Sequence, residues 1–162
     1  MFARALLAFL ALPGLFALFL PWVLVAVDPW RGSGFLFGAA ILAAGIVGLL
    51  WCIRDFYVSG RGTLGPWDPP KRLVVVGLYR YTRNPMYLSA LSIVGGISLC
   101  AGSPLVAVYL IVLGLFFHLR VVFNEELWLS KQFSSEWAAY SAAVPRWLPR
   151  LTPWHGEHAH HP

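Results

Sequence analysis

Residues 84–120 read NPMYLSALSIVGGISLCAGSPLVAVYLIVLGLFFHLR, and no formally charged side chain occurs in the 36 residues between Arg83 and Arg120. The sequence AGSP interrupts this run at 101–104, where Ser103 suits a helix N-cap and Pro104 the first helical position. The pattern predicts a helical hairpin with membrane spans at 85–101 and 104–123. Each arm of about 16 residues covers roughly 24 Å, which is less than the hydrocarbon core, so a shallow or re-entrant hairpin is the alternative.

Two further uncharged runs precede the hairpin, at 5–27 and 32–53. The first has 23 residues, enough for roughly 34 Å of helix, and it exceeds the apolar core of a signal peptide. The second ends at Arg54 and Asp55 and is rich in Gly and Ala, which suit close helix packing in lipid. Both runs are predicted to span the membrane.

Composition supports a membrane protein. The chain has 162 residues, of which 59% are hydrophobic and only 12% charged, and its mean hydropathy of +0.68 lies outside the soluble globular range. Cys52 and Cys100 lack CxxC spacing, so neither a disulfide framework nor a metal site is predicted. We therefore expect an all-α polytopic bundle of about four spans, forming one domain over 1–154.

The basic residues predict the orientation. With both termini cytoplasmic, eleven of the twelve Lys and Arg residues face the cytoplasm and only Arg31 lies outside. The net charge of +5 then follows from this sorting and from anionic headgroups, and no nucleic-acid partner is expected. The loop at 54–84 is then cytoplasmic. Short connections and the lack of a targeting segment favour a prokaryotic inner membrane.

Polar residues concentrate on either side of the hairpin. The first cluster is GLYRYTRNPMY, at 77–87, where Asn84 suits an N-cap and Pro85 the first helical residue. A helix N-terminus of this kind binds carboxylates and phosphates. The alternative is an ordinary aromatic and basic belt at the membrane interface.

The second cluster is HLRVVFNEELWL, at 118–129. On a straight α-helix Glu125 lies about 20° from His118, whereas Arg120 lies about 140° away and aligns with Asn124. The spacing therefore does not bring Arg120 and Glu125 onto one helical face. Acids beside lipid are often functional, and the alternative is a solvated helix end paired with the basic loop.

The remaining sequence is predicted to lie outside the bilayer. The segment 124–154 is rich in Trp, Tyr and Pro and is amphipathic in places, as is typical of an interfacial helix. The tail HGEHAHHP, at 155–162, holds four of the five histidines and is expected to be a flexible end rather than a metal site.

These motifs occur in an order that resembles a known family. GLYRYTRNPMYL, a hairpin of about forty residues, R-x4-EE and FSSEWAAYSAAVPRWLP together resemble the isoprenylcysteine carboxyl methyltransferase and phospholipid methyltransferase group of integral membrane enzymes. The resemblance covers about residues 70–150, and the first two spans match only in kind. It rests on the ordered set of motifs rather than on any one of them.

The resemblance implies methyl transfer from S-adenosylmethionine to a lipophilic acceptor, such as an isoprenylcysteine carboxylate or a phospholipid. It implies a catalytic pair, Arg120 and Glu125, and a VPR turn at 144–146 that closes over the cofactor. Where the family usually has His this chain has Asn84, which keeps a donor and an acceptor but cannot titrate. The residues implied to hold the cofactor are Tyr81, Arg83, Asn84, Tyr87, Glu125, Glu126 and Tyr140.

Two other functions are compatible with the pattern. Sterol reductases carry a related C-terminal arrangement of Arg, Pro and Tyr, and a membrane reductase would bind NADPH instead of S-adenosylmethionine. A non-enzymatic membrane protein would bind neither cofactor. Cofactor binding therefore separates the three hypotheses.

Overall fold

The structure is a computed structural model that describes residues 10–59 and 73–156, and within these ranges it is helical and contains no strand. The predicted all-α fold class is confirmed. Parts of three predicted segments lie outside the described residues: 5–9 of the first span, 60–72 of the loop and 157–162 of the tail. In chain order the elements are a π-helical stretch Leu10–Phe19, α1 (Leu20–Val27), α2 (Phe37–Ser59), a 3-10 turn Gly77–Arg80, α3 (Pro85–Ala101), α4 (Pro104–Arg120), a π-helical turn Val121–Glu125 and α5 (Glu126–Ala143).

Among residues 10–59 and 73–156, two helical runs are long and apolar enough to cross a membrane. One is Phe37–Asp55, with 19 residues, and the other is the continuous run Pro104–Ala143, with 40 residues. Pro85–Ala101 and Leu15–Val27 are shorter apolar helices. Large apolar side chains such as Ile111, which is 71% exposed, point away from the protein, as expected of a surface in contact with lipid.

The hairpin between α3 and α4 turns where the sequence predicts. Ser103 is the N-cap of α4 and its hydroxyl accepts from the Val106 amide at 3.3 Å, with Pro104 in the first turn. Gly102 ends α3 with φ of 58°, a left-handed conformation that favours glycine, and its amide bonds back to α3. These residues explain why a 36-residue uncharged stretch folds as two helices.

The end of α1 adds a second cap to the start of α4. The buried carboxylate of Asp28 accepts hydrogen bonds from the Ser103 hydroxyl and from the Leu105 amide, the latter at 3.0 Å. A negative side chain at this position satisfies free amides and complements the helix dipole. Asp28 therefore ties the first helical run to the hairpin.

Helices α2 and α3 pack antiparallel at very short range because glycine lies at their contacts. A Cβ on Gly45 would lie 2.8 Å from the Ile93 amide nitrogen, and one on Gly96 would lie 2.6 Å from the Leu42 amide nitrogen. These backbones approach closely, as in small-residue packing between membrane helices. Ile93, which forms the first of these contacts, belongs to the buried core.

The predicted second span, 32–53, differs from α2 at both ends. Its first residues are not helical, because the Gly32 and Phe35 amides donate to the Gly102 and Leu99 carbonyls at 2.9 and 2.8 Å. At the other end, the charged residues do not stop the helix, which continues to Ser59. The segment thus starts as an extended stretch that lies over the hairpin turn and then becomes helical.

Helix α5 continues from α4 through the π-helical turn without a break. It covers 126–143 of the predicted interfacial segment 124–154, and its backbone leaves helical geometry at Phe133 and Ser134. The chain then returns over the earlier elements as a C-terminal strap, residues 144–154.

The contrast between two adjacent glycines tests the α2–α3 packing. Gly96→Ala is expected to lower stability by about 1–3 kcal/mol, because the new methyl group meets backbone atoms of Leu42 that cannot rotate away. Thermal unfolding of the detergent-purified protein, followed by fluorescence, measures this effect.

Gly95→Ala is the matched control. Its Cβ would meet only the Leu110 side chain, at 3.5 Å, and alanine favours the helix over glycine. Equal melting temperatures for the two variants would contradict the close backbone contact.

Candidate functional site

The π-helical turn Val121–Glu125 brings two predicted catalytic residues together. Arg120 Nε lies 2.9 Å from Glu125 Oε1, and the Tyr87 hydroxyl donates to the same oxygen. Tyr87 comes from the first turns of α3, so this cluster joins both arms of the hairpin. The Tyr87 ring also packs on Phe117 of α4, with centroids 4.5 Å apart.

The contact corrects the angular argument made from the sequence. On an unbroken α-helix Arg120 and Glu125 would lie about 140° apart. In a π-helical turn the hydrogen bonds join residues five apart, so residues i and i+5 lie much closer in angle than they do on an α-helix. The two side chains therefore do meet, and the wider turn is the reason.

An open cavity of about 590 Å³ lies against this pair. Apolar side chains form most of its wall, and three of them, Phe116, Leu119 and Phe123, are about half exposed or more. Arg120, Glu125 and Asn124 supply the polar part. The cavity thus combines a lipid-compatible surface with one pair of opposite charges.

Glu126 forms a second charged cluster next to the first. Its two oxygens accept from Nε and Nη2 of Arg146, both at 2.7 Å, and Arg83 Nη1 lies 3.2 Å from Oε1. The bidentate geometry is the strongest form of this pairing. One carboxylate on α5 therefore links the loop before the hairpin to the strap after it.

Arg83 is the more buried of the two cations. Burial lowers the pKa of its guanidinium, while the nearby Glu126 carboxylate acts in the opposite direction. Its Cζ atom also lies 5.4 Å from the centre of the Trp137 ring, a cation–π contact from α5. For Arg146 the hydrogen bond with Glu126 raises the pKa. Both arginines stay charged, so the cluster of two cations and one anion is net positive.

Backbone pairing holds the pre-hairpin loop, residues 77–84, under the strap. The Asn84 side-chain amide and the Thr82 hydroxyl both donate to the Arg146 carbonyl at 3.1 Å, and the Arg83 amide donates to Pro145 at 3.0 Å. Asn84 does stand at the N-cap position, but its side-chain oxygen, the group that would accept a capping bond, receives none from α3, and its side-chain NH2 group donates to the Arg146 carbonyl. The predicted capping role of the Asn84 side chain is wrong.

Two tyrosines add a contact between the loop and α5. The Tyr140 hydroxyl, on α5, donates to the Tyr79 carbonyl at 2.7 Å. Burial raises the pKa of both the Tyr79 and the Tyr140 hydroxyl groups, so both are neutral. This pair fixes α5 against the loop without adding charge.

The predicted cofactor residues fall into separate places. Tyr87 and Glu125 touch one another beside the cavity, and Arg83 and Glu126 form the second cluster. Tyr81 lines a different cavity, on the α2 side of α3. Asn84 and Tyr140 use their side-chain donors on backbone carbonyls.

Sequence reasoning missed three contributors: Tyr79, Thr82 and Trp137. The first two belong to the motif GLYRYTRNPMY, but nothing in its composition distinguishes the residues that face the strap. Trp137 belongs to the segment assigned to the interface on its aromatic content. Trp137 and Tyr140 lie three residues apart on α5 and are both buried. This helical spacing of two aromatic residues is the feature of the sequence that indicates a packed face.

Comparison with known proteins identifies a family that the chain matches. The model of the phospholipid methyltransferase family matches residues 33–136, which include α2, the hairpin and most of α5. The cobalt-zinc-cadmium resistance protein CzcN of Cupriavidus metallidurans is 31% identical over 111 residues, or 68% of this chain. That match covers 47% of CzcN, so the chain spans about half the length of this curated relative. No solved structure matches the chain.

Glu126→Gln tests the link between loop and strap. The variant removes the negative charge that pairs with Arg83 and Arg146. The free energy needed to open the loop is therefore expected to fall by about 1.5–3 kcal/mol. Hydrogen exchange should report this as about 10- to 100-fold faster exchange of the Arg83 amide.

Glu136→Gln is the control, because it removes an equal charge from an exposed position on the same helix. Unchanged protection of the Arg83 amide in Glu126→Gln would show that Glu126 does not hold the loop.

Proposed function

The chain belongs to the phospholipid methyltransferase family, and we propose that it transfers a methyl group from S-adenosylmethionine to a lipophilic or amphipathic acceptor at a membrane. The observation that carries the proposal is the shared oxygen of Glu125, which accepts from Tyr87 and Arg120 beside an apolar cavity. Charged and apolar surfaces meet there, as an acceptor with one polar end requires.

Family membership and the apolar helices make this an integral membrane protein. We further propose that the pre-hairpin loop, the strap and both termini face the cytoplasm of a prokaryote. This topology is supported by the positive-inside rule, which eleven of twelve basic residues then obey. The cofactor would reach the site from water and the acceptor from the bilayer.

The residues beside the cavity suit a cationic methyl donor. Within the part of the chain that the structure describes, both hydrogen bonds to the Glu125 carboxylate are accepted by Oε1, which leaves Oε2 for a ligand. A carboxylate oxygen attracts an ammonium or sulfonium group, and an apolar wall strengthens that attraction by excluding water. We assign Glu125 and Tyr87 as the nearest cofactor contacts, with Asn84 and Tyr140 further away; Tyr81, which lines the cavity on the opposite side of α3, is not assigned to the cofactor.

Arg83 and Glu126 have a positioning role in this proposal. Their side chains are occupied by each other and by Arg146, so they hold the loop and strap around the site. The predicted direct contact of Glu126 with the cofactor is replaced here by this indirect one. If the loop and strap were held loosely, water would enter the site and the methyl donor and acceptor would be misaligned.

When bound, S-adenosylmethionine supplies an electrophilic methyl group, whose bond to sulfur breaks as the acceptor's lone pair forms the new bond. Arg120 uses Nε for Glu125, and its remaining N–H groups can orient an anionic acceptor such as a carboxylate. For an amine or thiol acceptor, Glu125 is the nearest group able to accept the released proton. The protein otherwise aligns the reactants and excludes water.

Cofactor binding is the first test of the proposal. S-adenosylmethionine is expected to bind the detergent-purified protein saturably in calorimetry, and Glu125→Gln should weaken binding by about 10-fold or more, the usual loss for one charge-assisted hydrogen bond. Glu136→Gln should bind as the wild type does.

NADPH, titrated in parallel, gives the contrary outcomes. Saturable binding of NADPH without S-adenosylmethionine would favour a reductase, and binding of neither would favour a non-enzymatic protein. Either result would overturn the proposed function.

Arg120 is expected to matter more for turnover than for cofactor affinity. Arg120→Ala should lower transfer of a labelled methyl group to membrane lipids by about 100-fold, the range seen for groups that act at the reacting atoms. Its affinity for S-adenosylmethionine should change only a few-fold.

Lys131→Ala, which removes an exposed positive charge from α5, is the matched control. Wild-type transfer by Arg120→Ala would remove Arg120 from the site.

A further inference from the structure

A second cavity, an open groove of about 390 Å³, lies on the other side of α3 from Tyr87, Arg120 and Glu125. Ala44 and Gly45 of α2 form one wall, and Leu88, Ser89 and Ser92 of α3 form the other. No residue lines both cavities among those the structure describes. The proposed methyl transfer therefore leaves this groove without a role.

The walls of the groove suit hydrocarbon. Its lining includes three hydroxyl groups besides that of Tyr81, and each of the three already donates to a backbone carbonyl: Ser89 to Pro85 at 2.8 Å, Ser92 to Leu88 at 2.9 Å and Thr82 to Arg146 at 3.1 Å. With these hydrogens used inside the protein, a polar ligand finds few donors along the wall. An alkyl chain needs none.

The groove runs from the loop end of the bundle toward the middle of α3. Pro85 and Ser92 both line it, and seven residues of helix correspond to roughly 10 Å. Tyr81 and Pro149 lie at its loop end, where an interfacial tyrosine and a turn are expected beside headgroups. The groove therefore extends along the direction in which a lipid tail lies.

The backbones of two basic residues adjoin the loop end of the groove. Arg80 precedes Tyr81 in the chain, and the Arg150 amide donates to the Tyr81 carbonyl at 2.9 Å. Each guanidinium gives one donor to a carbonyl, Arg80 to Trp154 and Arg150 to Ala143. Within residues 10–59 and 73–156 neither of them pairs with a carboxylate, in contrast to Arg54, Arg83, Arg120 and Arg146.

We propose that this groove binds one molecule of an anionic phospholipid. An acyl chain lies in the surface groove beside the α2–α3 contact, and the phosphate lies against the N–H groups of Arg80 and Arg150 that do not bond Trp154 or Ala143. The uncompensated charges select an anionic headgroup over a zwitterionic one, and the satisfied hydroxyl groups select hydrocarbon along the walls. Bound there, the lipid would brace α2 against the pre-hairpin loop.

Native mass spectrometry of the full chain, released from detergent, tests the proposal with two lipids of identical acyl chains. Phosphatidylglycerol is expected to be retained about five-fold or more over phosphatidylcholine, since one basic residue at a headgroup contributes about this factor. Arg150→Gln should reduce retention of phosphatidylglycerol by about five-fold.

Ala44→Phe fills the groove from an exposed position on α2 and should remove the preference for phosphatidylglycerol. Ala43→Phe adds the same ring to the adjacent exposed residue, which does not line the groove, and should behave as the wild type does.

Three results would overturn the proposal. Equal retention of the two lipids by the wild type would exclude a selective site. Retention that is lost in Arg150→Gln but kept in Ala44→Phe would show adsorption on a basic surface, with no chain in the groove. Retention unchanged in Arg150→Gln would show that the proposed headgroup contact is wrong.

Discussion

Glu126 is the residue on which the site's architecture depends, because it binds two guanidinium groups that lie 63 residues apart in the sequence, at 83 and 146. Arg83 precedes the hairpin and Arg146 follows α5, and one carboxylate holds both within 3.2 Å. Moving three charged groups out of water is costly, and short charge-assisted bonds offset that cost only when the geometry is good. The loop, the hairpin and the strap therefore form one unit rather than three neighbouring segments.

The π-helical turn determines which way the two adjacent acids point. Glu125 faces Arg120 and Tyr87, while Glu126, the next residue, faces Arg83 and Arg146. In a continuous α-helix Arg120 and Glu125 would diverge, and the cavity would keep a cation without its anion. A local widening of the helix at a functional cluster is a known use of π turns. Here it separates a reactive carboxylate from a structural one.

The sequence was a good guide to the hairpin and a poor one to the contacts beyond it. Ser103, Pro104 and Gly102 act through local backbone chemistry, so their effect could be predicted from a few residues. The π turn could not, because no residue type in VVFNE demands it and tertiary contacts select it. Asn84 illustrates the same limit: its residue type favours a cap, yet its side-chain NH2 group binds the Arg146 carbonyl, 62 residues away, and its oxygen makes no capping bond.

The pairing of loop and strap also sets an order of events during biosynthesis. Asn84 leaves the ribosome 62 residues before the carbonyl it binds, which at 5–20 residues per second is a delay of about 3–12 s. Throughout that interval the polar groups of residues 82–84 need water as their partner, so this loop has to wait on the aqueous side while the hairpin inserts. The site is completed only when the strap has been synthesised. A nascent chain interrupted before Arg146 contains the charged residues of the site but lacks the strap that would align them.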